Sequence, residues 1–162
     1  MKIPSKTKYR KSQRGRRKGL SKGCRDIAFG QWGLQAVEPA WLSAQQIEAM
    51  RSTLSRHLKK RGRLFIRVFP DKPVSKKPAE TRMGKGKGNV ELWVAVVKRE
   101  RIIVELGDIE PEIAKKILHN VSCKLPMRTR IVFKDALVDS KDVIIDVDEA
   151  VVVNDEIVAC QV

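Results

Sequence analysis

The sequence predicts an α+β fold: a single-domain α/β sandwich in which a mixed or antiparallel sheet packs against two helices. Three observations predict it. Two segments have apolar residues at helical spacing, several short segments have alternating apolar residues, and the helices do not alternate regularly with the strands. The 162 residues fit one domain, and an apolar fraction of 42% with 5% aromatic residues indicates a mainly aliphatic core.

Residues 1–25 are interpreted as a basic RNA-binding arm. They include eleven Lys and Arg residues and no acid. Because periodic apolar residues are missing, the arm is not expected to form a packed element by itself and should become ordered on a phosphate backbone. Between residues 26 and 37, apolar residues return with glycines between them, which indicates one or two short, bent strands.

The first helix is predicted to begin after Ser43. Ser43 is a good N-cap, and Gln46, three residues later, completes a capping box. One face of this helix carries the apolar residues Ile47, Met50, Leu54 and Leu58. We expect Gly62 to end the helix. Much of the remaining surface is basic, through Arg51, Arg56, Lys59, Lys60 and Arg61.

A strand over residues 64–69 is predicted from alternating side chains, and Pro70 ends it. Residues 70–89 contain three prolines and three glycines, which predicts a twenty-residue loop. Loops beyond about 12–15 residues in compact domains are usually functional or disordered. The strands 90–98 and 102–106 are then expected to form a β-hairpin around a polar turn.

The second helix is predicted to open near Pro111, because proline is accepted in a first helical turn and Glu110 and Glu112 suit its positive end. Its apolar face has Ile113, Ile117 and Val121, with Ala114 and Leu118 beside them. A strand over 130–136 completes an α+β core that we place at 26–138. Residues 139–162 carry seven acids and one base, and are expected to form an acidic C-terminal extension with a β-hairpin.

The net charge of +15 requires a polyanion to supply counter-charge, and nucleic acid and an anionic membrane are the two obvious candidates. No apolar run approaches the ~20 residues of a membrane span. The basic arm also lacks an adjacent amphipathic face that would insert into a bilayer. The composition therefore favours nucleic acid as the partner.

The three cysteines, Cys24, Cys123 and Cys160, are far apart and form no C-x-x-C motif. The two histidines have no second ligand candidate near them in the sequence. Neither a zinc site nor any other metal site is expected from this spacing. We interpret the cysteines as reduced thiols in a reducing compartment.

The glycine- and lysine-rich run at 82–89 is a second candidate binding segment. Glycines let the backbone approach a ligand closely, and lysines supply charge. A Walker loop requires G-x-x-x-x-G-K-[ST] followed by a helix, whereas these glycines are spaced G-x-G-x-G, no Ser or Thr follows Lys87, and a strand comes next. The spacing favours a flexible cationic finger that inserts into folded RNA over a nucleotide-phosphate loop.

Several stretches together resemble one family, large-subunit ribosomal protein sixteen of the bacterial and organellar type, in the universal uL-sixteen group. The most specific are Ile-Arg-Val-Phe-Pro-Asp-Lys-Pro at 66–73 and Arg-Met-Gly-Lys-Gly-Lys-Gly-Asn-Val-Glu at 82–91. Lys-Tyr-Arg-Lys at 8–11 and Gln-Gln-Ile-Glu-Ala at 45–49 support them. The resemblance is collinear from about residue 1 to about residue 133, and the acidic extension lies beyond it.

The resemblance implies a sandwich bound to 23S-type rRNA between the central protuberance and the peptidyl-transferase region. It implies roles in late subunit assembly and in positioning A-site tRNA, with the P site as a further possibility, and no catalytic residue. The candidate rRNA-binding residues are Lys6, Lys8, Tyr9, Arg10, Lys11, Arg14, Arg16, Arg17, Lys18, Arg51, Arg56, Lys59 and Lys60. The candidate residues of the loop nearest tRNA and the peptidyl-transferase centre are Lys76, Lys77, Arg82, Met83, Gly84, Lys85, Gly86 and Lys87.

The expected partners are large-subunit rRNA, tRNA and neighbouring large-subunit proteins, with no membrane, no cofactor and no homo-oligomer. The expected location is the cytoplasmic ribosome of bacterial type, and the resemblance also admits an organellar ribosome. Two alternatives stay open. One is a basic nucleic-acid-binding adaptor outside the ribosome that bridges proteins through its acidic tail, and the other is a phosphoryl-handling enzyme that uses the Gly/Lys loop.

Overall fold

The structure is a computed structural model that describes residues 3–59, 62–134 and 143–145. Two helices and eight strands are described in these ranges. In chain order the elements are β1 Trp32–Ala36, β2 Ala40–Ser43, α1 Ala44–Leu58, β3 Arg63–Ile66, β4 Lys72–Lys76, β5 Asn89–Val97, β6 Ile102–Gly107, α2 Pro111–Ser122, β7 Thr129–Phe133 and β8 Val143–Ile145.

The strands form two antiparallel sheets. The larger has the order β3-β6-β1-β7-β8, and the smaller has the order β2-β5-β4. The α1 helix contacts β2, β5 and β3, whereas α2 contacts β1 and β7. The two helices also contact each other, so they join the sheets around a shared core. The predicted α+β class is confirmed.

The core is mainly aliphatic, as the composition predicted. Its fully buried members include Leu34, Leu42, Leu54, Leu106 and Leu118. Burying each such side chain contributes about 1.5–3 kcal/mol relative to leaving it exposed. Trp32 is the aromatic exception: it is buried and lies against Phe133, with the two ring centroids 4.5 Å apart.

The start of α1 is confirmed in detail. Ser43 Oγ accepts from Gln46 N at 3.2 Å, and Ser43 N donates to Gln46 Oε1 at 2.9 Å. This reciprocal pair is a capping box, and all four predicted apolar residues of the helix are buried. The predicted end was wrong, because the helix ends at Leu58 and the left-handed C-cap is Lys59.

Gly62 has a different role from the predicted one. Its φ of +83° is a left-handed conformation, and an added Cβ would lie 2.4 Å from Ile109 Cγ1. Only glycine fits this close approach between the start of β3 and the segment before α2.

The predicted hairpin of 90–98 with 102–106 was wrong. β5 pairs with β2 and β4 in the smaller sheet, and β6 pairs with β1 and β3 in the larger one. Both edges of each strand are therefore occupied by other partners. The turn between them carries the chain from one sheet to the other, with Glu100 at a φ of +66° and Glu100 N donating to Ala36 O at 2.7 Å.

The predicted loop 70–89 was partly wrong, because it contains β4. Pro73 lies within β4, although a proline in this segment had favoured irregular structure. β4 is an edge strand, where a residue without an N–H is tolerated because one side of the strand needs no partner. The irregular part is the shorter segment 77–88, which links β4 to β5.

Three further points concern β2, the buried face of α2 and the acidic extension. The strand β2 was not predicted from the sequence. The predicted helical face of α2 included Ile113, which is 43% exposed, whereas Ala114, Ile117, Leu118 and Val121 are buried. In the acidic extension the structure describes the strand β8, and the remainder of the predicted hairpin lies outside the described residues.

Candidate nucleic-acid interface

The described part of the basic arm, residues 3–25, forms neither a helix nor a strand, and most of its side chains are exposed. Its candidate cations are exposed except for Lys11, which is half-buried. A local sequence without periodic apolar residues gives the arm no packed element, so its path depends on contacts with the folded domain.

The first half of the arm lies against β4. The ammonium of Lys72 donates to the backbone carbonyl of Arg14, and Ser12 Oγ donates to Pro73 O at 3.4 Å. Gly15 follows with a φ of +68°, and a Cβ there would lie 3.0 Å from Lys72 Nζ. The arm therefore turns directly over the lysine that binds it.

The second half of the arm is bound to the turn between β5 and β6. Ser21 N donates to Arg99 O at 3.0 Å, and Ile102 N donates to Cys24 O at 2.8 Å. Arg25 also forms an ion pair with Glu100. These contacts place the arm across the point where the chain passes from one sheet to the other.

The Gly/Lys loop lies beside the arm. Lys11 Nζ donates to Lys87 O at 2.9 Å, and Lys87 Nζ donates in turn to Ser12 O. Lys77 Nζ donates to Gly84 O at 2.6 Å, which connects the two sides of the loop. The two segments that the sequence presented as separate projections thus meet at Lys11, Ser12 and Lys87.

The tip of the Gly/Lys loop is open to solvent. All of Arg82, Met83, Lys85 and Lys87 are exposed, and Met83 is 100% exposed. A Cβ added at Gly84 or Gly86 would meet no atom within 4 Å. The tip therefore has room to change conformation when a ligand approaches.

Trp41 gathers three cations of this region. The ring centroid lies 5.1 Å from Lys72 Nζ, 5.1 Å from Arg17 Cζ and 5.6 Å from Arg14 Cζ. Trp41 pairs with Val96, and Val94, two residues away on the same strand, pairs with Lys72. Side chains alternate along strands, so the register puts Trp41 and Lys72 on one face of the smaller sheet.

The basic surface of α1 is divided. Arg51 forms an ion pair with Glu48 at 2.5 Å, and the hydrogen bond and charge of that carboxylate raise the pKa of Arg51. Arg56 and Lys59 are exposed, and Lys60 lies outside the described residues. The helix therefore offers Arg56 and Lys59 as side chains open to an external anion.

Glu105 is a buried acid that was not among the candidate residues. Its side chain is 0% exposed, and Oε2 accepts from Phe29 N at 2.6 Å and from Gly30 N at 3.0 Å. Arg67 forms an ion pair with Oε1, and its guanidinium also lies 4.9 Å from the ring centroid of Phe29. Glu105 thus fixes the segment after the arm to the larger sheet.

These contacts decide the ionisation of the buried pair. Burial would raise the pKa of Glu105, but donation by the Phe29, Gly30 and Ala28 amides and by Arg67 outweighs it and holds the pKa below the ordinary 4.5. Burial likewise would lower the pKa of Arg67, and the hydrogen bond and charge of Glu105 outweigh it, so the net direction is upward. Both side chains are charged at neutral pH.

Of the three residues that were missed, one had a signal in the sequence. Glu105 is an acid inside the apolar run Ile-Ile-Val-Glu-Leu at 102–106, and a charge in such a run needs a partner. Lys72 belongs to the Val-Phe-Pro-Asp-Lys-Pro run, where its spacing gave no indication of what it contacts. Trp41 was not distinguishable from an ordinary core aromatic.

The described residues lack the features of two other protein classes, metal-binding and membrane-spanning proteins. Within the described residues, no three His, Cys, Asp or Glu side chains are placed to hold a metal ion, and Cys24 and Cys123 are free thiols. Neither of the two helices described has the length and apolarity needed to cross a membrane. An α+β domain with a cation-rich exposed arm and an adjoining cationic loop has the features of a structural protein that binds a polyanion.

Comparison with known proteins gives the family. Residues 4–132 match the family described as ribosomal protein L16p/L10e. A large ribosomal subunit protein uL16 from Fervidobacterium nodosum is 54% identical over 132 residues, covering 82% of this chain and 93% of the relative. One from Thermus thermophilus is 54% identical over 136 residues, covering 84% and 96%. A protein uL16c from Adiantum capillus-veneris is 49% identical over 137 residues, covering 85% and 100%.

The chain belongs to the ribosomal protein L16p/L10e family. It is therefore a structural, non-enzymatic protein of the large ribosomal subunit, which acts in translation and associates with rRNA and other ribosomal proteins. The bacterial relatives correspond to a cytoplasmic ribosome, and the Adiantum protein is an organellar relative. The alternative of a phosphoryl-handling enzyme is excluded by this membership. The matched region ends before the acidic extension.

Proposed function

We propose that the arm and the Gly/Lys loop bind large-subunit rRNA as one surface, and that the loop tip extends toward tRNA near the peptidyl-transferase centre. The observation that carries this proposal is the mutual contact of the two segments through Lys11, Ser12 and Lys87. Their exposed cations then form a continuous strip that phosphate groups can follow. Ordering this strip on rRNA would join neighbouring RNA segments late in subunit assembly.

The exposed tip supports the second part of the proposal. Arg82 and Lys85 contact no acid among the described residues, and the adjacent glycines leave the backbone unobstructed. An acceptor stem or a tRNA elbow presents phosphates that such side chains bind. The tip is therefore proposed to help position A-site tRNA without taking part in bond formation.

The arm is tested by the salt dependence of rRNA binding. Replacing Arg14, Arg16 and Arg17 with Ala removes three exposed cations, and each lost contact with a duplex phosphate should flatten the slope of log affinity against log salt by about 0.9. The free energy of unfolding should change little, because these side chains are exposed. An unchanged slope would contradict the arm as an rRNA contact.

The loop tip is tested in assembled subunits with Arg82→Ala and Lys85→Ala together. Sedimentation of the large subunit should be normal, while A-site tRNA should dissociate faster, since two phosphate-directed charges are gone. The matched control is Lys115→Ala with Lys116→Ala, which removes the same charge from the exposed side of α2. Equal tRNA dissociation in both double variants would refute the role of the tip.

A further inference from the structure

Three like charges meet at Trp41 without an acidic partner. Arg14, Arg17 and Lys72 all lie within 5.6 Å of the centroid of one indole ring. Among the ion pairs of the described residues, none involves any of these three cations. Attraction to an indole contributes only about 0.5–1 kcal/mol per exposed cation, and the cations repel one another.

Two buried N–H donors near Lys72 also lack a partner in the protein. One is Trp41 Nε1, on the ring that Lys72 approaches. The other is Arg101 Nε, whose side chain lines the same cavity as Lys72. An unpaired buried donor costs roughly 1–3 kcal/mol, so a ligand that accepts these hydrogen bonds would be stabilising.

The cavity beside Lys72 is large enough for such a ligand. Its volume is about 420 Å³, and it opens between Ser12 and Gln13 of the arm and Phe69, Lys72 and Arg101 of the domain. One acid, Asp71, also lines the cavity, but it is exposed and carries one charge against two from Lys72 and Arg101. The cavity therefore favours an anion.

We propose that Lys72 and Arg101, which line this cavity, form a binding site for one backbone phosphate of rRNA, with Arg14 and Arg17 of the arm close by because they share the Trp41 ring with Lys72. The inference rests on the proposed function and deepens it, since neither Trp41, Lys72 nor Arg101 was among the candidate contacts. A phosphate in the cavity offsets the repulsion among the cations and accepts hydrogen bonds from Lys72 and Arg101, which line it. It thereby holds residues 12–17 against the smaller sheet, so phosphate binding and the position of the arm are coupled.

The test uses inorganic phosphate and the intrinsic fluorescence of the full-length chain. Phosphate replaces chloride at constant ionic strength, and a saturable change in tryptophan emission is expected because the anion binds Lys72, whose Nζ lies 5.1 Å from the centroid of the Trp41 ring. The change should persist in Trp93→Phe and disappear in Trp41→Phe. This pair of variants assigns the signal to Trp41 rather than to another tryptophan.

The site itself is tested with variants that keep Trp41, whose emission is the signal. Lys72→Met should raise the phosphate concentration at half-saturation about tenfold, the factor for losing one charge-assisted hydrogen bond. The matched control, Lys115→Met, removes one lysine charge from an exposed position on α2 and should leave half-saturation unchanged. The inference would be overturned if Lys72→Met reached half-saturation at the same phosphate concentration as the unmodified chain. It would also be overturned if the unmodified chain gave no saturable response.

Binding of large-subunit rRNA is measured on the same samples to separate this inference from the proposed function. If rRNA binds but phosphate leaves Trp41 emission unchanged, the phosphate site is refuted and the proposed function stands. If phosphate gives the expected response but rRNA does not bind, the proposed function fails instead.

Discussion

Glu105 shows how one buried charge can organise a segment that has no regular structure. Its carboxylate accepts three backbone amides between residues 28 and 30 as well as the guanidinium of Arg67. Phe29 is fixed by this arrangement in contact with Phe65, with ring centroids 5.4 Å apart. Glu105 therefore attaches the segment that follows the basic arm to the packed domain.

The first prediction concerns Glu105→Gln at neutral pH. An amide keeps the shape but leaves Arg67 without a counter-charge, so the free energy of unfolding should fall by about 3 kcal/mol. Chemical denaturation measures this change. The matched control is Glu91→Gln, because Glu91 is exposed and its nitrogen–oxygen distance to Lys76 is 3.7 Å, and its effect should stay within about 0.5 kcal/mol.

The pH dependence of Glu105 has a defined sign. Its pKa is lower in the folded protein than the ordinary 4.5 of the unfolded chain, so the unfolded chain binds more protons as the pH falls. The stabilisation that ionised Glu105 gives to the folded protein is complete above pH 4.5 and is lost as the pH falls through the folded pKa. The difference in stability between the unmodified chain and Glu105→Gln should therefore shrink in acid, and a difference that grows would contradict this account.

At the scale of elements, α1 was the segment best predicted from sequence. Its start depends on Ser43 and Gln46, which lie three residues apart, and its buried face follows from helical spacing. The strands were located less well, because their pairing depends on residues far away in the chain. Nothing local in 90–106 states that β5 and β6 belong to different sheets.

The glycines of the Gly/Lys loop differ in whether the surrounding structure leaves room for a side chain. A Cβ at Gly88 would lie 2.4 Å from the backbone oxygen of Lys76, where β4 and β5 come together, whereas a Cβ at Gly86 would meet nothing within 4 Å. Gly88→Ala should therefore lower the free energy of unfolding by about 1–3 kcal/mol, while Gly86→Ala should change it by less than about 0.5 kcal/mol. Thermal denaturation of both variants measures this difference, and equal effects would disprove it.

At the scale of the whole molecule, the sequence predicted the basic segments but not their proximity. Lys11 and Lys87 are separated by 76 positions, and no periodicity connects them. The contact exists because β4 and β5 return the chain to the place where the arm crosses. The site at Trp41 was missed for the same reason, since its cations come from the arm and from β4.

A deletion within the acidic extension tests the remaining alternative, which is an adaptor that bridges proteins outside the ribosome. Deleting residues 146–162 removes five acidic residues and no basic residue while keeping β8. For a subunit protein held by its cations, the tagged deletion variant should still co-sediment with large subunits until high salt releases it. For an adaptor that acts through the extension, co-sedimentation with its complexes should disappear.

Lys72 and Lys87 bind the arm through its backbone and not through its side chains. Lys72 and Lys87 donate to main-chain oxygens of Arg14 and Ser12, which every amino acid provides. These two hydrogen bonds can therefore form whatever side chains stand at positions 12 and 14. Gly15 is the exception, because its left-handed turn next to the ammonium of Lys72 disfavours a larger residue. A redesigned arm would need to keep that glycine while its neighbours are exchanged.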